Sequence, residues 1–139
     1  MIKSLKSLYR MMLEKRIYVS PETRNSYVQA AQELSWINRE ENGYYIIVPK
    51  SVTEFKNEGQ LQHNCVFTCE YYLRVIDRKS IIVFLRKNKE QPYITIEFKY
   101  EDFRVLQAYG KYNSNIDNKI FGYIVDLGKR LYEERLSWQ

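Results

Sequence analysis

Histidine occurs once in this chain, cysteine twice, proline three times and glycine five times. That scarcity narrows the chemistry. Cys65 and Cys69 have no second Cys-x-x-Cys to complete a tetrahedral zinc set, and no Pro-Cys-x-x-Cys follows as in the zinc deaminases. No metal or cofactor is expected. Two cysteines this close make no disulfide framework. No apolar run approaches the roughly 20 residues of a membrane span. The basic start, Met1-Ile2-Lys3-Ser4-Leu5-Lys6, lacks the apolar core and cleavage site of a signal peptide. A cytoplasmic protein without a membrane partner is the expectation. Lysine and arginine form no run, so no basic arm is present. Gly110-Lys111 is not embedded in a Gly-x-x-x-x-Gly-Lys-Ser/Thr phosphate loop.

What is present is tyrosine, 13 of 139 residues, and a net charge of +5 from 22 Lys and Arg against 17 Asp and Glu. Tyrosine suits half-buried surfaces and interfaces. The charge permits a nucleic-acid or acidic-protein partner but is scattered. The length fits one compact unit. It divides into an N-terminal helical extension, 1–43, and an α+β domain, 44–139.

Ile2, Leu5, Leu8 and Met12 recur at helical spacing and predict a helix to about Lys15. Ser20-Pro21-Glu22 starts a second helix, with Ser20 as cap and Pro21 in the first turn. Its apolar face, Tyr27, Ala31 and Leu34, continues toward Ile37, and Asn42-Gly43 reads as its stop. Tyr44–Val48 reads as a strand ending at Pro49. Ser51-Val52-Thr53-Glu54 is a capping box opening a short helix that buries Phe55 and Leu61 and is interrupted by Gly59. A further helix is expected from His63 to about Asp77. Three strands follow. Ser80–Arg86 is almost wholly apolar, so both faces should be covered. Pro92–Lys99 alternates, with Glu97 on the wetter side beside Arg86 or Lys99. Phe103–Tyr109 ends at Gly110. Their short connections favour an antiparallel meander. Ile120, Ile124, Leu127 and Leu131 form the stripe of a last helix, capped by Ser114 or Asn115. The class is α+β: a mainly antiparallel sheet of three to four strands packed against helices.

Two polar clusters stand out. Glu58–Val66 holds His63 and Cys65; Gln107–Asn113 holds Gln107, Gly110, Lys111 and Asn113. If the folded-back sheet joins them, a titratable pair sits beside a turn rich in donors. As an enzyme, Cys65 would be the nucleophile and His63 its base, with Gln107 orienting the imidazole or an oxyanion. The plainer alternative is a packed thiol and a histidine satisfied by backbone. As a binding site, Gly110-Lys111 with Asn113 would present N–H groups and an ammonium to phosphate, Arg86 adding charge from its strand and Tyr93 and Tyr109 stacking on bases.

The order of these pieces resembles the PcfJ-like family, found on conjugative plasmids and in phage genomes. The resemblance runs from about Tyr45 to about Phe121. It is carried by Val48-Pro49-Lys50-Ser51, Glu54, Glu58-Gly59, Leu61, His63-Asn64-Cys65-Val66, Ile82–Arg86, Pro92–Glu97 and Gln107-x-x-Gly110-Lys111-x-Asn113. Departures are Phe67 and Cys69, where the family has a small residue and then a tyrosine, and Arg78-Lys79, where a glycine precedes the long strand. The resemblance implies a mobile-element accessory protein, whose partner would be nucleic acid or a host or mobile-element protein complex. An alternative is a phage-encoded inhibitor of a host defence protein, anti-CRISPR-like, acting by protein contact. The small Cys65–His63 enzyme is the other.

Overall fold

Short connections and strand-like hydrophobicity in the second half of the chain close into one sheet. The computed structural model describes residues 4–139. Five strands lie in chain order, each antiparallel to the next. They are β1 (Arg39–Glu41), β2 (Tyr44–Ile47), β3 (Ser80–Asn88), β4 (Gln91–Lys99) and β5 (Val105–Tyr109). The helices are α1 (Leu5–Arg16), α2 (Pro21–Glu33), α3 (Val52–Gln62), α4 (Tyr71–Ile76) and α5 (Asn118–Leu136). The fold is α+β, with one strand more than the upper expectation. Ile2, read as part of the first apolar stripe, lies outside the described residues.

The additional strand has a local cause. α2 stops at Glu33, and Ser35–Ile37 tightens into a 3-10 turn. Asn42 and Gly43 both take positive φ, 53° and 79°. Positive φ at both central residues is the hairpin geometry that Asn-Gly favours. The dipeptide read as a helix stop is therefore the turn joining β1 to β2, and the sheet starts on the N-terminal side of the 43/44 boundary.

α3 and α4 leave and rejoin the sheet between β2 and β3 and cover one face. Phe55 on α3 meets Phe84 of β3 at 6.1 Å, Tyr72 of α4 at 5.9 Å and Tyr27 of α2 at 5.0 Å, all edge-on. The Tyr27 hydroxyl donates to the Pro49 carbonyl at 2.8 Å. α2 is thus built into the core. The long α5 covers the other face, burying Ile124, Leu127 and Leu131 over Ile94, Ile96 and Phe98. Between the two layers Ile81 through Leu85 are all buried, as their unbroken apolar run requires.

Several local expectations are corrected. Ser51 caps α3, its hydroxyl accepting from the Glu54 N–H, but the Glu54 carboxylate reaches the Lys50 N–H instead of the cap's own. Leu61 is exposed. Gly59 does not interrupt α3. The chain folds back behind the helix, and a Cβ at Gly59 would stand 3.3 Å from the Asn64 carbonyl. The segment from His63 to Glu70 is a series of turns, leaving α4 only six residues. Asp117, not Ser114 or Asn115, caps α5, accepting from the Ile120 N–H at 2.9 Å.

Candidate functional site

α3 ends because His63 takes the left-handed conformation (φ 53°, ψ 51°), which histidine tolerates better than most residues. Its N–H and that of Asn64 return to the Gly59 carbonyl. β5 runs into Gly110, whose N–H donates to the Ser114 carbonyl at 3.0 Å. A Cβ at Gly110 would stand 2.8 Å from the Ser114 hydroxyl, so a side chain there would make Ser114 turn aside. Tyr112 and Asn113 are both left-handed, with φ of 59° and 57°. The turn throws the Tyr112 ring onto His63, with ring centroids 4.3 Å apart and planes within 7° of parallel. The two clusters, distant in the chain, do meet.

Beside this stack is a cleft of ≈ 470 Å³ lined by His63, Tyr112, Asn113 and the first turn of α1, Ser4 to Ser7. Lys111 is exposed, its ammonium 5.7 Å from the Tyr112 ring centre. Lys6 lines the cleft and is exposed. The Ser4 hydroxyl accepts from the Ser7 N–H, so the helix start is capped at the cleft's rim.

The remaining expected site residues are used elsewhere. Gln107 turns inward. Its amide donates to the Tyr71 hydroxyl at 2.7 Å and to Glu97 at 2.8 Å. Glu97 is buried, not on a wetter side, because Arg74 of α4 (2.9 Å), Ser80 (2.5 Å) and Gln107 satisfy its carboxylate. Asn64 links α3 to the sheet in the same layer, donating to Thr95 at 3.2 Å while accepting from the Val66 N–H. Arg86 forms an ion pair with the fully buried Glu58 at 2.7 Å. Tyr93 is stacked on Tyr44 at 6.3 Å, with the Lys87 ammonium 4.4 Å from its centre. Burial next to the Tyr71 hydroxyl raises the Tyr109 phenol well above its usual range.

Cys65 is half-buried and lies in the turn segment. Burial, with the neighbouring Cys69 thiol a smaller cause, pushes its pKa up to about 12. At neutral pH it is a thiol, the opposite of what a nucleophile needs. Cys69 is exposed, and its N–H donates to the Cys65 carbonyl at 2.7 Å. Among the described residues no three His, Cys, Asp or Glu converge as a metal site.

Tyr112, Lys6 and the buried Glu97–Arg74–Ser80 group were not anticipated as parts of the site. Tyr112 stood in view between Lys111 and Asn113, but only the left-handed backbone there turns its ring toward His63. The α1 residues carry no signal of their own, since their place depends on how that helix returns to the body.

The profile of the PcfJ-like protein family matches residues 8–121, and the chain belongs to that family. The match extends N-terminal of the resemblance at Tyr45, taking in α2 and most of α1. The chain is similar to an uncharacterized protein of Listeria innocua serovar 6a, with 26% identity over 112 residues. The similarity covers 79% of this chain and 23% of that protein, so the chain spans under a quarter of the length of the curated relative it matches. No solved structure is significantly similar. Membership supports the association with mobile elements that the resemblance implies. The pieces that carry the resemblance largely hold one another: Glu58 with Arg86, Asn64 with Thr95, Glu97 with Gln107. His63 and Asn113 line the cleft, with Lys111 beside Tyr112.

Proposed function

We propose that this PcfJ-like chain is a mobile-element accessory protein that binds nucleic acid, in single-stranded form, at the cleft between His63, the Lys111–Asn113 turn and the start of α1. The observation that carries the reading is the parallel His63–Tyr112 stack forming one wall of that cleft. Flat aromatic platforms accept any nucleobase, because every base has a π-face. Lys111 and Lys6 bring ammonium groups to the same rim, where they meet the phosphate chain. The net charge of +5 favours the encounter. Burial that raises the Cys65 thiol favours this binding reading over the enzymatic alternative.

Fluorescence anisotropy with labelled single-stranded DNA, single-stranded RNA and duplex DNA tests the reading. Single strands are expected to bind more tightly than duplex, with affinity falling as salt rises. Tyr112→Asn keeps a residue that accepts left-handed backbone and removes the ring. It should weaken binding roughly five- to a hundredfold, the range of about 1–3 kcal/mol per stacked base. Lys111→Ala should flatten the salt dependence. Absence of any shift, or binding indifferent to both changes, contradicts the proposal.

A further inference from the structure

A surface helix ordinarily turns its apolar stripe inward. α1 does the reverse. Leu5, Leu8, Tyr9 and Met12 share one helical face by their spacing of three, four and seven. They are 85%, 44%, 64% and 53% exposed. The side toward the body is the one carrying the buried Ser7 and the half-buried Met11. The twelve residues of α1 also carry Lys6, Arg10, Lys15 and Arg16 against Glu14, a net +3 from four cations and one acid.

We propose that this stripe docks the protein on the surface of an anionic lipid bilayer. An outward apolar face on a cationic helix is the pattern of segments that lie in the headgroup plane. Anionic lipids attract the Lys and Arg residues while the Leu, Met and Tyr side chains enter the acyl boundary. A second copy of the chain is a poorer occupant. Twelve residues make a helix of roughly 18 Å. Two such helices crossing through four side chains each bury several hundred Å² at most, below the roughly 1,200–2,000 Å² of a stable interface. A protein groove would have to match the convex stripe, whereas a bilayer yields to it. No helix among the described residues is long and apolar enough to cross a membrane, so the contact is one of surface attachment. The expectation of no membrane partner rested on the missing span, which surface docking does not need. The stripe adjoins the cleft, which Leu5 and Lys6 also line, whereas Leu8 and Met12 lie outside it.

Vesicle flotation of the whole chain tests it. The protein should float with vesicles of phosphatidylcholine and phosphatidylglycerol and stay behind with phosphatidylcholine alone. High salt, at about 1 M, should reduce the floated fraction by screening. The Leu8→Glu/Met12→Glu double variant alters exposed positions outside the cleft, so its circular dichroism and single-strand affinity should be unchanged. Its flotation should fall roughly tenfold or more. Failure to float with anionic vesicles overturns the proposal, as does equal flotation on both compositions or of both proteins. A lipid-free dimer that the double variant converts to monomer would assign the stripe to a second copy instead.

Discussion

Glu58 has no solvent exposure, and its carboxylate meets one guanidinium, that of Arg86. One carboxylate oxygen, the Arg86 Nε and the Gln62 amide nitrogen remain buried without a protein partner. Burial outweighs the Arg86 attraction and raises the Glu58 pKa above its ordinary 4.5. The folded state therefore holds this proton more tightly than the unfolded chain does. The stability from this group is fully present at low pH and is lost as pH rises through the folded value. Glu58→Gln, which cannot ionise, should gain stability relative to the native protein between about pH 4 and pH 7 in urea unfolding. A relative loss over that window would mean that the ion pair dominates. Arg86→Ala, leaving the carboxylate buried and alone, should cost about 3–5 kcal/mol at neutral pH.

At the scale of elements, the two glycines of α5 separate packing from propensity. Gly128 sits where α5 presses on the sheet: a Cβ there would stand 2.4 Å from the Phe103 carbonyl and 3.0 Å from the Phe98 ring. Gly128→Ala should destabilise by about 1–3 kcal/mol, because backbone has to shift. Gly122 has nothing within 4 Å of the same position. Gly122→Ala should stabilise by about 1 kcal/mol through helix propensity alone. Thermal unfolding of both variants reads the contrast, and equal effects would deny the close approach of α5.

Elements with strong local signals were legible in the sequence. Ser20-Pro21 and Ser51 start helices where their caps require, and the α5 stripe is the one buried. β1 was hidden because Asn-Gly ends helices and also turns hairpins, and only pairing with β2 decides between them. The helix expected from His63 overruns α4 at its start, because left-handed His63 and Glu70 leave no periodic trace. Glu97 looked solvated by alternation; its burial depends on Arg74, Ser80 and Gln107, three residues from three different elements. The meeting of the His63 and Gln107 segments was readable from the meander. Which side chains would face the cleft was not, since the αL turns at His63 and Tyr112 set their directions.

The whole molecule is a sheet coated on both faces. α5 seals one face with aliphatic side chains and ion pairs to β1, while α3 and α4 cover the other with Phe55 and Tyr72 and with the polar links Glu58–Arg86, Asn64–Thr95 and the group around Glu97. These polar links fix the end of α3 relative to β4 and β5. That holds His63 against Tyr112 and keeps the cleft's wall in place before any ligand arrives. Nucleic acid is proposed to sit on that wall. The most direct measurement is photocrosslinking of a bromouracil-substituted single strand to the protein, followed by mass mapping of the adduct. The adduct is expected on Tyr112 or His63, and it should vanish in Tyr112→Asn. Adducts confined to the Lys87–Gln91 hairpin, or none at protein concentrations that saturate the strand, would contradict the account.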